Sequence, residues 1–336
     1  MTLHARGLPV MHGGDLAAAS ARFPDVPQPW VDLSTGINPH NYPIPAIPDA
    51  SWQRLPDRAA LRVLEHTAAR RYEVPSHADI VAAPGTQALI QLLPRIFPAR
   101  RVAILGYGYG EHPSVWQAAG ADVQVVTTLG DLAEAEVAVV VNPNNPDGRL
   151  CSASDLAEVA RHLVSRGGAL VVDEAFMDVV EPGQSLVPSL PTTGVLVLRS
   201  FGKFYGLGGL RLGFAVAEPE TATCLRAALG SWPVSGPAIS IGAQALADNA
   251  WRARAVTELR GSANRLDSLL LESGLTVHGG TSLFRLAVTP HAASIHDRLG
   301  RAGILVRPFP ERPTWLRFGL PGDEPAWHRL REALGP

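Results

Sequence analysis

The chain has 336 residues, of which 46% are hydrophobic and 18% are charged, and its formal net charge is −2. This composition supports two modest domains, or one large domain with an appendage, and excludes an intrinsically disordered chain. Because the charge is near neutral, we expect no nucleic-acid or anionic-membrane partner.

The two cysteines, Cys151 and Cys224, stand far apart and lack the spacing of a zinc site or a disulfide framework. We therefore expect reduced thiols, no metal and a cytoplasmic location. The start of the chain has no apolar stretch of signal-peptide length, and no run of about 18 apolar residues predicts a membrane span.

The chain begins with a predicted N-terminal arm (1–45) that is rich in Pro, Gly and Asn and should have little regular structure. Residues 57–73 then carry apolar positions at helical spacing. Up to about residue 230, apolar runs that predict strands alternate with runs that predict helices, which is typical of a mostly parallel sheet covered on both faces. The predicted strands are 79–85, 101–108, 121–126, 136–143, 169–176, 194–201 and 211–218, and the helices are 87–97, 112–120 and 154–168.

The pattern changes in the last third of the chain. A long predicted helix over 239–274 leads into short strands that alternate with helices. These strands are 276–280, 283–288, 304–309 and 315–320, and the helices are 291–302 and 325–334. We therefore predict a large α/β domain (46–230) followed by a small α+β domain (231–336).

Lys203 is the only lysine in the sequence. Lysine and arginine together number 29, so 28 are arginine. An amine can lose its proton near neutral pH and form an imine with a carbonyl, whereas a guanidinium stays charged. A chain that uses arginine everywhere else therefore points to Lys203 as a candidate for covalent chemistry.

The residues around Lys203 suggest a phosphate site. Ser200 and Arg211 supply a hydroxyl and a bidentate guanidinium, and several glycines between them allow close approach to a ligand. A lysine imine beside a phosphate site indicates pyridoxal 5′-phosphate (PLP), which carries both an aldehyde and a phosphate. A loop that runs into a predicted helix could add backbone N–H donors from Gly85, Thr86 and Gln87.

Three further side chains meet the other needs of such a cofactor. Asp173 ends an apolar strand, where a buried carboxylate can keep the pyridine nitrogen protonated. Asn145, in a turn after another strand, could donate to the phenolic oxygen of the ring. Tyr109 could stack on the ring face.

The order of these segments resembles the fold-type I PLP enzymes of the aspartate aminotransferase superfamily, over nearly the whole chain. This resemblance implies an α/β fold in which a large, mostly parallel sheet domain is joined by a small α+β domain, with a homodimer whose sites lie at the interface. The segments that carry it are GTQ (85–87), YGEH (109–112), NPNNPDG (142–148), DEAF (173–176), SFGKFYGLGGLRLGF (200–214) and WLRFGL (315–320).

Within the superfamily the chain is similar to the branch shared by histidinol-phosphate aminotransferases and threonine-phosphate decarboxylases of cobalamin biosynthesis. HGGD (12–15) and DLSTGINP (32–39) resemble the opening of the decarboxylases. Phe176 and Leu55 stand where many relatives have tyrosines that reach the cofactor. The resemblance therefore implies decarboxylation of a phosphorylated amino acid, L-threonine phosphate.

The resemblance also implies a role for each site residue. Lys203 would bind the aldehyde, Asp173 the ring nitrogen and Asn145 the phenolic oxygen. The loop at 85–87, with Ser200 and Arg211, would bind the phosphate. Tyr109 would stack on the ring with His112 in support, and the substrate end of the site would be formed by Arg317, Arg307, His12, Gly13 and Asn38.

Two alternatives remain open from the sequence. A transaminase of the histidinol-phosphate type would use the same cofactor residues, because the orientation of the substrate carboxylate decides which bond breaks. A non-catalytic binding module is a second alternative, and the intact set of Lys203, Asp173, Asn145 and Arg211 argues against it. For Arg307 and His12, a surface or capping role is as compatible with the sequence as ligand binding.

Overall fold

The computed structural model describes residues 12–335. The α-helices are α1 (Leu16–Arg22), α2 (Ala50–Gln53), α3 (Arg58–Tyr72), α4 (Thr86–Ile96), α5 (Glu111–Ala118), α6 (Ala153–Ser165), α7 (Phe201–Phe204), α8 (Pro219–Leu229), α9 (Gly236–Ala247), α10 (Asn249–Glu272), α11 (Ala292–Arg301) and α12 (Glu324–Leu334). The strands are β1 (Val31–Asp32), β2 (Asp79–Ala83), β3 (Arg101–Leu105), β4 (Asp122–Val126), β5 (Val137–Val141), β6 (Ala169–Asp173), β7 (Val195–Ser200), β8 (Gly213–Ala217), β9 (Thr276–Thr281), β10 (Phe284–Val288), β11 (Ile304–Leu305), β12 (Arg307–Pro308) and β13 (Trp315–Gly319).

A seven-stranded sheet forms the centre of the molecule, in the order β2-β8-β7-β6-β5-β3-β4. All of its strands are parallel except β8, which runs antiparallel to both of its neighbours. The Val-rich strands alternate their side chains between two apolar cores, as Val139 and Val140 do. Helices α4, α5 and α8 cover one face, and α3, α6 and α9 cover the other. The predicted mostly parallel sheet with helices on both faces is therefore confirmed.

A second sheet, of four antiparallel strands in the order β12-β13-β10-β9, is formed by the last third of the chain. The N-terminal arm joins this region because β1 pairs in parallel with β11. The domain boundaries at residues 45 and 230 stay a prediction. The expectation about the first residues concerns positions 1–11, which lie outside the described residues.

The sequence interpretation lacks α8 (Pro219–Leu229), and it also differs from the structure at three other segments. The helix predicted over 239–274 is two helices, because Asp248 leaves helical geometry and caps α10 by accepting from Trp251 N at 2.8 Å. The arm contains α1, whose first turn is capped by Asp15 through Ala18 N at 2.9 Å. The strand predicted over 304–309 is divided into β11 and β12, which belong to different sheets. No helix within residues 12–335 has the length and apolarity needed to cross a bilayer.

Candidate active site

A cavity opens at the carboxyl edge of the seven-stranded sheet. Five parallel strands (β2, β3, β5, β6 and β7) end at this edge and β8 begins there, so their loops bring distant segments together. The cavity has a volume of about 880 Å³ including its open mouth. It is lined by nine of the predicted cofactor residues, namely Gly85, Thr86, Gln87, Tyr109, Asn145, Asp173, Ser200, Lys203 and Arg211.

Lys203 projects from the short helix α7, directly after β7. Its Nζ donates to the carbonyl oxygen of Thr35 at 3.2 Å and lies 5.7 Å from the centre of the Phe176 ring. Burial, with the positive charge of Arg317 as the next cause, lowers the pKa of Lys203 to about 8. A substantial fraction of this amine is therefore neutral at mildly alkaline pH, which is the form that attacks an aldehyde.

Asp173 is the last residue of β6 and is buried. One carboxylate oxygen lies 2.9 Å from His112 Nε2, and the other accepts from Ala175 N at 3.1 Å. A carboxylate held in this way is oriented by its neighbours. It suits a cationic ligand group that reaches the cavity floor.

A small cradle for an anion lies between the start of α4 and Arg211. Gly85 has a φ of +87°, and a Cβ there would lie 2.8 Å from Arg211 Nη2. A Cβ at Gly213 would lie 2.6 Å from Thr86 N, so glycine is needed for β8 to approach this helix. The first amides of a helix have no partner within the helix, and Ser200 is close by on the cavity wall. The cradle combines backbone donors, a hydroxyl and a guanidinium.

Arg317 reaches the other end of the site from β13 and is buried. Its Nη1 donates to Asn145 Oδ1 at 2.5 Å, and its Nη2 donates to the carbonyl oxygen of Ser34. Burial lowers the pKa of Arg317 to about 9, with Arg307 as the next cause. Because its oxygen is occupied by Arg317, Asn145 has its amide N–H group left as a donor.

Arg307 and Arg317 are directly opposite each other in the register of β12 and β13. Residues directly opposite in an antiparallel pair place their side chains on the same face. The two guanidinium groups therefore bring two positive charges to one region, and an anionic ligand there would relieve their repulsion. The half-buried Arg307 also lies 5.8 Å from the centre of the Phe309 ring.

The remaining predicted residues belong to the N-terminal arm. His12 Nε2 lies 2.7 Å from Glu111 Oε1, beside the cavity, and Gly13 packs so closely on Ser34 that a Cβ would lie 2.3 Å from Ser34 O. Asn38, like His12, Gly13, Arg307 and Arg317, is not among the residues that line the cavity, and its role at the substrate end stays a prediction. The Asn38 side chain donates to Phe204 O and accepts from His40 N, each at 2.9 Å. It therefore holds the backbone that carries Lys203.

Sequence reasoning missed two contributors to the site. Thr35 contacts Lys203 through its backbone carbonyl, and such a contact has no side-chain signature. Glu111 binds both His12 and Gln87, yet an acidic residue at the start of a helix is ordinarily interpreted as a favourable charge for that helix. Glu111 is part of the motif YGEH, but its role in the site depends on which segments contact it in the folded chain.

Comparisons with known proteins identify the family of the chain. The family model for aminotransferase class I and II matches residues 29–334. A threonine-phosphate decarboxylase of Sinorhizobium sp is 45% identical over 329 residues, which cover 97% of this chain and 98% of that protein. A threonine-phosphate decarboxylase of Pseudomonas aeruginosa is 42% identical over 330 residues, which cover 96% of each chain.

Among solved structures, the histidinol-phosphate aminotransferase of Sinorhizobium meliloti, in complex with pyridoxal-5′-phosphate, has a TM-score of 0.85. The match covers 99% of this chain and 98% of that chain at 20% sequence identity, so it shows the shared fold. Together with the family match, it confirms the fold-type I architecture that the motifs implied. The chain belongs to the aminotransferase class I and II family.

Proposed function

We propose that this protein is a PLP-dependent decarboxylase that converts L-threonine O-3-phosphate to (R)-1-aminopropan-2-yl phosphate in cobalamin biosynthesis. Similarity over nearly the full length to two threonine-phosphate decarboxylases supports the substrate and the reaction. The structural observation that carries the proposal is that the only lysine, a buried carboxylate and an anion cradle meet in one cavity.

The cavity fits PLP, which carries an aldehyde, a ring nitrogen and a phosphate. A Cβ at position 85 would fill the cradle. Glycine leaves that space open, as expected where the backbone must approach a phosphate closely. The His112–Asp173 pair supplies an oriented negative charge within the protein interior. The residues that would hold the cofactor are Lys203 at the aldehyde, Asp173 at the ring nitrogen, Asn145 at the phenolic oxygen, Tyr109 at the ring face, and Thr86, Gln87, Ser200 and Arg211 at the phosphate.

When bound, the cofactor supplies an electron sink conjugated with the substrate Cα, so that a bond held perpendicular to its ring can break. Asp173, oriented by His112, would accept from the protonated ring nitrogen of the cofactor. Arg317 binds the substrate carboxylate and sets its orientation, since Asn145 and the Ser34 carbonyl fix the guanidinium. As the Cα–carboxylate bond breaks and carbon dioxide leaves, Lys203 or a water delivers one proton to Cα.

The paired arginines suit this substrate because it carries two anionic groups. Arg317 and Arg307 present adjacent positive charges from neighbouring strands, one for the carboxylate and one for the phosphate. Burial lowers the pKa of both arginines. A ligand with two anionic groups can contact both guanidinium groups, whereas a simple amino acid offers only its carboxylate.

The proposal includes a homodimer. Trp52, Leu55 and Trp232 expose 67%, 68% and 56% of their surface, which is unusual for large apolar side chains. Their segments are neighbours, since a Cβ at Gly236, four residues after Trp232, would lie 2.3 Å from Ser51 O. An apolar surface of this kind supports association with a second copy of the chain.

The decisive assay gives the PLP-loaded protein L-threonine phosphate without any keto acid. The proposal predicts repeated turnover, with one carbon dioxide and one phosphorylated aminopropanol formed for each substrate consumed. If the substrate is consumed only after a keto acid is added, and no carbon dioxide appears, the protein is a transaminase instead.

A further inference from the structure

Four side chains form a closed ring of contacts beside the cavity, which we call the Glu111 cluster (His12, Gln87, Tyr109 and Glu111). His12 Nε2 lies 2.7 Å from Glu111 Oε1, and Gln87 Nε2 donates to Glu111 Oε2 at 2.6 Å. Tyr109 OH donates to Gln87 Oε1 at 3.1 Å. The ring closes because the His12 and Tyr109 rings lie 6.1 Å apart between centres.

Two members of the Glu111 cluster, Gln87 and Tyr109, line the cavity itself. His12 belongs instead to the N-terminal segment 12–14, which is fastened by a second contact. Gly14 N donates to Ser34 Oγ at 2.7 Å. Since Ser34 also contacts Arg317 through its carbonyl, segment 12–14 lies next to the substrate end of the site.

Glu111 is the centre of the cluster by both geometry and charge. Its side chain is only 12% exposed; Oε2 accepts from Gln87 and from Gln91 at 3.2 Å, and Oε1 lies 2.7 Å from His12 Nε2. It is also the first residue of α5, where the helix dipole favours a carboxylate. A charge held by so many donors has one orientation, and it can fix the groups bound to it.

We propose that Glu111 is a positioning residue with two separable arms. One arm runs through His12 and holds segment 12–14 against the substrate end of the cavity. The other arm runs through Gln87 and sets the angle of the Tyr109 ring over the cofactor. The proposal rests on the proposed function for its substrate, but both arms consist of contacts between side chains of the protein itself.

A purely structural role for Glu111 would stabilise α5 without acting on the site. The chain offers a matched control for this alternative, because Gln91 contacts the same carboxylate but neither lines the cavity nor contacts segment 12–14 in the described chain. Glu111→Gln separates the two arms. A glutamine oxygen can still accept from Gln87, but the negative charge that faces His12 is lost.

The test uses Glu111→Gln, Glu111→Ala and Gln91→Ala, with three measurements. The first is hydrogen exchange of residues 12–19 in the protein without cofactor, where Gly14 N is held by Ser34 Oγ. The second is the circular dichroism of the bound cofactor, which reports the ring environment set by Tyr109. The third is the division of the kinetic effect between KM and kcat with L-threonine phosphate.

Glu111→Gln should speed exchange of residues 12–19 and raise KM roughly fivefold, as expected for the loss of one part-exposed polar contact, with the cofactor signal unchanged. Glu111→Ala should do the same and also change the cofactor signal. Gln91→Ala should match wild type in all three. If Glu111→Ala folds and leaves both the exchange and the cofactor signal at wild-type values, the proposal is wrong.

Failure of this proposal can be told apart from failure of the proposed function. The exchange measurement needs no substrate, and the cofactor signal needs no turnover. If L-threonine phosphate is not a substrate, these two readouts still decide whether Glu111 has either arm. If Glu111→Ala does not fold, Glu111→Gln decides the His12 arm through exchange, and Gln87→Ala decides the Tyr109 arm through the cofactor signal.

Discussion

His112 Nε2 lies 2.9 Å from Asp173 Oδ2, and both side chains are buried beneath the cavity. The histidine comes from α5 and the aspartate from the end of β6, so two separate elements fix one carboxylate. With Ala175 N on its other oxygen, Asp173 has a single orientation towards the site. This relationship makes Asp173 the electrostatic partner of the proposed cofactor ring.

We expect Asp173→Asn to lower kcat on the order of 100-fold, because the preorganised negative charge beside the ring nitrogen is lost. His112→Asn should lower kcat less, roughly tenfold, since the carboxylate remains but is less well oriented. Steady-state kinetics on PLP-saturated protein measure both effects. An Asp173→Asn variant with wild-type kcat would contradict the role given to this carboxylate.

A buried ionic network on the other face of the sheet should contribute strongly to stability. Arg199 lies 2.8 Å from Glu174 and 3.0 Å from Asp178, and all three are buried. Burial raises the pKa of Glu174, and the charge of Arg199 opposes that change. Arg199→Met should therefore lower the free energy of unfolding by about 3–5 kcal/mol, because it leaves buried carboxylates without their main partner.

The matched control for this network is the exposed pair between Arg226 and Asp79, at 2.9 Å with 43% and 44% of the side chains exposed. Arg226→Ala should change the free energy of unfolding by less than about 1 kcal/mol. Urea unfolding of both variants measures the difference. If the two substitutions lower the free energy of unfolding equally, the buried network contributes no more to stability than an exposed ion pair.

The lowered pKa of Lys203, about 8, predicts how the rate of cofactor binding depends on pH. Only the neutral amine attacks the aldehyde, so the rate constant for reconstitution with PLP should rise with pH and level off above about pH 8. Each rate constant is divided by the rate constant for PLP with a free alkylamine at the same pH, which removes the titration of the cofactor itself. This ratio should begin to fall near pH 8, because the neutral fraction of Lys203 levels off there while that of the free amine still rises. A ratio that does not fall above pH 8 would contradict the prediction.

Arg317 supplies the matching variant, because its charge is the second cause of the lowered pKa. Removing that charge in Arg317→Met should raise the pKa of Lys203, so the levelling should move to higher pH. The same stopped-flow measurement reports both proteins.

The exposed apolar residues of α2 and the loop before α9 predict a dimer interface. Replacing both Trp52 and Trp232 by glutamate should shift the protein from dimer to monomer, because the charges would lose solvation on association. Leu271→Glu is the control, since Leu271 is 59% exposed on α10. Sedimentation of the three proteins decides the point. A monomeric wild-type protein, or a double variant that remains dimeric, would refute the interface.

The sequence was sufficient for those parts of the fold and site that depend on local pattern. The Val-rich runs predicted the parallel sheet, and the predicted positions of Asp173 at a strand end and Gly85 before a helix agree with β6 and α4. The break at Asp248 was missed because a capping aspartate does not interrupt helical periodicity. The hydrogen bond from the Asn38 amide to Phe204 O could not be predicted, because residue type does not reveal which backbone atoms a side chain will contact. Contacts such as His12 with Glu111 required the three-dimensional arrangement.

The central claim is that Lys203 is the residue to which PLP binds covalently, and one measurement addresses it most directly. Reduction of the PLP-loaded protein with borohydride, followed by peptide mass spectrometry, should locate one pyridoxyl phosphate on Lys203. Because the sequence has no other lysine, Lys203→Arg should lose both the label and the absorption band of the bound cofactor. A loaded wild-type protein that carries no label at residue 203, or a Lys203→Arg variant that keeps the cofactor band and turnover, would contradict the account.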